Sequence, residues 1–323
     1  MKQKALLSMA VLAIASSPAM AQSSVTIYGQ LDVAMVKTSN QTLSVGRGDN
    51  NKLGFKGVED LGGGLAAVFQ LETRFEPDTG TTEASPNRPL FQGQSRVGLQ
   101  GDFGTVLLGR GLTAMQESVR AFSVRNYYSN RGNLMAFELA GYNGDPLNPG
   151  SSQNRVSNAV FYSSPLSTSG MQVNVSLATM EPLTSGTPTA RPTSLSGTYN
   201  LGDNSAFVAY EKNAINTRFW NLGAGHAFGD ATVRATYARQ TINLTKQTVK
   251  GWTVSGDYTV GSNVFLAGYG SNKPDGVGNT NQVSLGMEHN LSKRTFLYAD
   301  ALSRHAPGLS KVRVIDMGIH HTF

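Results

Sequence analysis

The 323-residue chain contains no cysteine. Disulfides, thiolate nucleophiles and cysteine-held metal ions are therefore excluded. Beyond residue 21 it has no apolar run approaching the roughly 20 residues that a membrane-spanning helix needs. Charge is sparse: Asp, Glu, Lys and Arg make up 15% of the chain. The bases are dispersed rather than gathered on one stripe, so nucleic-acid binding is not expected. No Gly-x-Ser-x-Gly elbow and no phosphate-cradling glycine loop stands in a strand-to-helix context. His320 and His321 are adjacent, so a strand would point them to opposite faces and they cannot easily share a metal. With no convincing outward Ser/His pair either, neither an enzyme nor a cofactor is expected.

The first 21 residues have the form of a secretory signal peptide. Lys2 and Lys4 give a positive start, Ala5 to Ala15 an apolar stretch, and Pro18, Ala19, Met20 and Ala21 a small-x-small end before Gln22. Residues 22–323 are then expected to form a single domain. Removing 21 residues from 323 leaves 302, with 25 Lys+Arg against 21 Asp+Glu, a net charge of +4.

What is present throughout is alternation. Val25, Ile27, Gly29, Leu31, Val33 and Met35 interleave with Thr26, Tyr28, Gln30, Asp32 and Ala34. The pattern recurs over 65–76, 252–260 and 282–291. A strand sends successive side chains to opposite faces, so each run has one lipid-compatible face and one polar face. Seven tight turns punctuate the runs: 59–64, 102–104, 164–170, 202–204, 229–230, 261–263 and 292–293. Longer polar stretches lie between them, near 37–50, 77–90, 112–153, 180–192, 213–217, 242–249, 272–280 and 304–311. Seven hairpins plus two terminal strands make sixteen strands. Alternating short and long connections with an even strand number predict an all-β, 16-stranded antiparallel transmembrane barrel. The rival is a soluble β-sandwich. Strands of about 10 residues, charges such as Glu72, Arg74, Arg96 and Asp257 on the polar face, and an alternating end at Ile315, Met317, Ile319, His321 and Phe323 count against it. Trp220, Phe228, Tyr258, Tyr162 and Phe323, near strand ends on the apolar face, suit interfacial aromatic belts.

Several segments carry a resemblance. They are Ser24–Asp32 (SVTIYGQLD), Leu53–Leu65 (LGFKGVEDLGGGL), Val97–Gly104 (VGLQGDFG), Leu108-Gly-Arg110, Tyr162-Ser-Ser-Pro165, His289–Thr295 (HNLSKRT) and Gly318–Phe323 (GIHHTF). In this order and spacing the chain resembles the general porins of β-proteobacteria, relatives of the neisserial porins. The resemblance implies an outer-membrane homotrimer of water-filled barrels for ions and small hydrophilic solutes. It also implies that a long third loop folds into the lumen, and that Phe323 is a signal to the machinery that inserts barrels. Residues 112–153, the longest non-alternating segment, stand where that loop belongs, and long loops are usually functional.

Rings of Arg and Lys in a pore favour anions, rings of Asp and Glu cations. Parity places Arg74, Arg96, Gln94 and Lys52 toward the lumen, with Glu72 and Lys56, sets Arg155 opposite Val156, and Arg110 follows the fifth strand. By resemblance, Arg110, Arg155, Lys52 and Gln94 match a basic ladder on the barrel wall. Lys52 keeps charge without the planar fork of Arg, and Gln94 loses the charge, with Arg96 as a neighbour on the same face. In the long loop the acids Glu117, Glu138 and Asp145 balance the bases Arg120, Arg125 and Arg131. Weak to moderate anion preference is expected. The alternatives are a substrate-specific channel, which would need an aromatic site such as Tyr127, Tyr128 and Phe137, and a structural or adhesive barrel without transport. Arg47-Gly48-Asp49 reads as a chance tripeptide expected to be exposed.

Overall fold

In a computed structural model, residues 24–83, 88–123, 133–142, 144, 154–180 and 188–323 are described. The strands are β1 (Ser24–Thr38), β2 (Ser44–Arg47), β3 (Lys52–Gly62), β4 (Leu65–Arg74), β5 (Gln94–Gly101) and β6 (Gly104–Leu112). Two helices follow, α1 (Ala114–Phe122) and α2 (Met135–Glu138). Then come β7 (Arg155–Ser163), β8 (Met171–Ala178), β9 (Thr193–Leu201), β10 (Asn204–Lys212), β11 (Arg218–Phe228) and β12 (Ala231–Thr241). The last are β13 (Thr248–Val260), β14 (Asn263–Pro274), β15 (Thr280–Asn290), β16 (Thr295–His305) and β17 (Val312–Thr322).

Each strand pairs antiparallel with its neighbours, and β1 pairs with β17, so the sheet closes on itself. The short β2 and the longer β3 pair with successive parts of the same edge of β1. They occupy one position in the ring, and seventeen strands make a sixteen-position barrel. At the seam, Gly29 and Phe323 exchange both backbone bonds, at 3.1 and 3.2 Å. All seven expected tight turns join consecutive strands at one end, and the longer connections lie at the other.

Alternation accounts for the two faces. Val25, Ile27, Val208 and Leu285 are 58–66% exposed on the outside, while their polar neighbours in sequence turn in. An exposed apolar sheet of this extent is stable only against acyl chains, and closure leaves no unpaired edge for them to meet. Trp220 with Tyr237, and Trp252 with Tyr269, lie near the loop ends, with ring centroids 5.6 and 5.2 Å apart. Phe228 and Tyr258 lie near the tight turns.

The structure departs from strict alternation in three places. Val156 was expected opposite Arg155, yet both are buried. The β6–β7 register shifts between Gly109 and Gly111, and Asn158 has φ 52°, so a bulge resets which face each residue takes. Arg47-Gly48-Asp49 was expected to be exposed, but Gly48 and Asp49 are buried in the interruption between β2 and β3. A Cβ on Gly48 would meet the Tyr298 hydroxyl at 1.8 Å and Asp32 at 2.2 Å. Asp32 is the centre of that packing: Tyr298 donates to it at 2.6 Å and His320 Nδ1 lies 2.9 Å from its other oxygen. Third, Ala34, Val36, Phe296, Tyr298, Leu302 and Val314 form an apolar cluster on the inner face, so that face is not uniformly polar.

Candidate channel constriction

The segment between β6 and β7 runs along the polar face of the sheet. Its first part is fixed by the chain itself. Thr113 caps α1 by accepting from Gln116 N at 3.3 Å, in a Thr-x-x-Gln capping pattern. Glu117 in the first turn and Arg120 in the last suit the helix dipole. The first N–H groups of a helix have no partner within it. Here Ser176 on β8 accepts from Ala114 N at 3.2 Å and Ser194 on β9 from Met115 N at 2.9 Å. Ser118 donates to Ser196 at 2.7 Å. Glu211 on β10, itself buried, accepts from the Thr113 hydroxyl at 2.5 Å and from the Tyr142 hydroxyl at 2.7 Å. One carboxylate thus ties down residues before α1 and after α2.

α2 is seated differently. Neutral side-chain amides of the wall donate to backbone carbonyls of the segment: Asn221 to Glu138 at 2.6 Å, Gln240 to Ala140 and Asn272 to Ala136 at 2.8 Å, and Gln282 to Asn133 at 3.0 Å. Phe137, 1% exposed, lies where wall side chains are missing. A Cβ on Gly270 would come within 2.6 Å of its ring, and one on Gly251 within 2.3 Å of its carbonyl. Arg304 stands over the other side of the ring at 5.8 Å. Burial pushes the Glu138 carboxyl up to about 7, and its one hydrogen-bond donor is Ser123 at 3.2 Å.

The basic residues collect on β3 to β7 and α1. Arg96 joins the wall to the helix. Its Nε and Nη2 donate to Gln70 Oε1 at 3.1 and 2.9 Å, its Nη1 reaches Glu117 at 3.3 Å, and the guanidinium lies 5.6 Å over Phe161. Gln70 in turn donates to the Tyr28 hydroxyl at 2.7 Å, which donates to Glu72 at 3.2 Å. Gln94, also buried, lies beside Arg96 over Gly111. Beneath them a cavity of about 200 Å³ is lined by Arg96, Glu117, Phe161, Tyr162 and Asn174.

Arg155 and Arg74 are more deeply held. Arg155, 2% exposed, donates Nε to the Gly93 carbonyl at 2.5 Å and lies 3.8 Å from Glu72. Arg74 pairs with Glu83 at 3.5 Å, and Glu83 also receives Arg47 at 2.5 Å and Arg88. Burial opposes charge on Glu83, but Arg74, Arg88 and Arg47 outweigh it and hold the carboxyl below its usual range. Arg110 donates to the Gln92 carbonyl at 3.0 Å and to Ser157 at 2.8 Å. Lys52 faces the same way as its cross-strand partners Gln30 and Arg74. Arg120 acts electrostatically on Arg74 and Arg155. Arg125, Arg131, Tyr127, Tyr128 and Asp145 lie outside the described residues.

Sequence reasoning therefore found the bases but not their partners. It also missed the amides and glycines that seat α2. The capping pattern Thr113–Gln116 was a legible helix signal inside the long loop.

Comparison with known proteins agrees with this architecture. The family model described as Gram-negative porin matches residues 8–304. Outer membrane porin protein 32 of Delftia acidovorans is 31% identical over 92% of this chain and 88% of its own. A major outer membrane protein P.IB of Neisseria gonorrhoeae is 33% identical over 43% of this chain and 38% of its own. Among solved structures, an anion-selective porin from Comamonas acidovorans superposes with a TM-score of 0.79 at 23% identity, covering 94% of this chain and all of that one. An outer-membrane protein of Vibrio cholerae, carrying a loop deletion, superposes with a TM-score of 0.72 at 16% identity, covering 93% and 99%.

Proposed function

Because this chain belongs to the Gram-negative porin family of the outer membrane, we propose that its barrel is a general diffusion pore narrowed by residues 112–153 and weakly to moderately selective for anions. Solutes cross passively. The lumen replaces the hydrocarbon barrier with water, and fixed charges bias which ions enter it.

The observation that carries this reading is Arg96. Its side chain is pinned by Gln70 on one side and by Glu117 of α1 on the other, and it is 13% exposed. A guanidinium so held presents fixed positive charge where wall and segment meet. Arg74, Arg110, Arg120, Arg155 and Lys52 surround it and set the sign of the local potential. Glu72, Glu83 and Glu117 offset part of that charge, so the preference is moderate rather than strong. The structurally similar Comamonas protein is described as anion-selective. Phe137 does not favour a substrate-specific channel, because its ring is turned into the wall at Gly270.

The rest of the proposal concerns assembly. Residues 1–21 are a leader removed on export, residues 22–323 are the working domain, and Phe323 at the seam is read by the insertion machinery. The barrel works as a homotrimer, as one solved relative from Vibrio cholerae described in its trimer form does. Planar-bilayer recording tests the whole reading. Purified protein should give stepwise conductance and a reversal potential of the anion-selective sign in a salt gradient. Arg96→Gln should move that potential toward zero. Absent conductance, or strong cation preference in the wild type, overturns the proposal.

A further inference from the structure

On the outside of the barrel, at the ends nearest the long loops, five consecutive strands each carry one basic residue. These are Lys212 on β10, Arg218 on β11, Arg239 on β12, Lys250 on β13 and Lys273 on β14. Their outward direction follows from their strands: each shares parity with an exposed apolar residue such as Val208, Leu222, Val233, Val254 or Phe265. The register places them side by side. Lys212 stands opposite Arg218, Arg239 opposite Lys250, and Lys250 opposite Lys273.

Like charges directly opposite on a sheet repel. Nothing in the protein relieves this. None of the five has a carboxylate within 4.0 Å among the described residues, and none of the outward positions on these five strands is Asp or Glu. The tight-turn end has the reverse character at Glu59, Asp60, Asp102, Asp203 and Asp230. A basic row is therefore not a general habit of both barrel rims.

The height of the row identifies what covers it. Immediately below, one step toward the middle of each strand, lie Tyr210, Trp220, Tyr237, Trp252 and Tyr269, with Tyr210 opposite Trp220 and Tyr237 opposite Trp252. Such amphipathic rings sit at the level where acyl chains meet headgroups. The side chains one step further out are then at headgroup depth, on the face bearing the long outer loops. A charge row there meets lipid, not bulk solvent and not permeating solute.

We propose that the outward row Lys212–Arg218–Arg239–Lys250–Lys273 is a docking surface for the phosphate groups of an outer-leaflet phosphoglycolipid, with the aromatic row beneath packing against its acyl chains. The phosphates relieve the repulsion along the row, and the lipid becomes a fixed part of this side of the barrel. The inference goes beyond the pore reading, since none of these residues faces the lumen.

The test uses the full folded protein in neutral detergent, titrated with fluorescent bisphosphorylated lipid A, for wild type and R239Q/K250Q/K273Q. With each base near an anionic surface contributing about fivefold, the triple variant should bind on the order of 100-fold more weakly. Dephosphorylated lipid A should bind wild type as weakly as the variant. K293Q/R294Q, with two charges removed at the tight-turn end, should bind as wild type. Conductance of the triple variant should be unchanged, which separates failure here from failure of the pore reading. If the triple variant does not fold, K250Q, with a like charge on either side, should still show about a fivefold loss. Undiminished binding by a folded variant, equal loss in K293Q/R294Q, or displacement of the lipid by millimolar inorganic phosphate overturns the proposal.

Discussion

Two walls of the same barrel hold the segment between β6 and β7 by opposite means. On β3 to β7 the inner side chains are large and charged, and every grip is charge-assisted: Arg96 to Glu117, Arg155 to Glu72, Arg74 to Glu83. On β11 to β15 the grips are neutral amides donating to carbonyls, and the contact at Phe137 is made by side chains that are absent at Gly251 and Gly270. The charged wall keeps its groups fixed but costs desolvation. The neutral wall costs little and gains its specificity from shape. A channel needs both, since mobile charge would blur selectivity and a charged seat would compete with it.

This contrast can be broken from either side. The largest effect is expected at Arg155→Met. It removes the positive partner of buried Glu72, and breaking a buried pair in this way costs about 3–5 kcal/mol. Urea unfolding of the barrel in lipid vesicles should show it as a lowered midpoint, and an unchanged midpoint would mean that Glu72 is adequately held by Tyr28 alone. Next comes Gly270→Val on the neutral wall. Overpacking against Phe137 should cost about 1–3 kcal/mol, relieved by displacement of α2. Single-channel conductance should then change while ion selectivity stays near wild type; a shift in selectivity alone would show that the two walls are not independent.

The smallest effect concerns pH. Burial raises the Glu138 carboxyl to about 7, so the folded state binds a proton that the unfolded state has already lost. The seat is firmest below the ordinary glutamate value near pH ~4.3 and weakens as pH rises to about 7, where the contribution is gone. Thermal midpoints measured from pH 4 to pH 8 should fall through that window in the wild type and stay flatter in Glu138→Gln. Parallel curves for the two proteins would remove Glu138 from the account.

The sequence was informative wherever the physics is local. Alternation and turn residues depend on neighbours one or two positions away, and the strands, the seven tight turns and the long connections followed from them. The bases of the charged wall were also visible as residue types. Their partners were not, because Arg155 meets Glu72 across a large separation in sequence. The bulge at Asn158 was hidden for a related reason: it depends on how β7 meets β6 at Gly109, and it put Val156 on the inner face. Gly251 and Gly270 read as ordinary strand glycines until Phe137 is set against them. A glycine that is a seat and a glycine that is merely tolerated have the same letter; only the distant occupant distinguishes them.

The pair of bonds between Gly29 and Phe323 has a consequence for how the molecule comes into being. The ring is joined by two stretches from opposite extremes of the polypeptide, so every intervening hairpin must be in place before the join is possible. Partial assemblies all carry two raw margins able to recruit strands from other molecules. Local hairpins form quickly, but the last step is the most non-local contact in the chain and the slowest to find. Completion is thereby all-or-nothing: a barrel short of this final stitch is an open sheet, with neither an inside nor an outside.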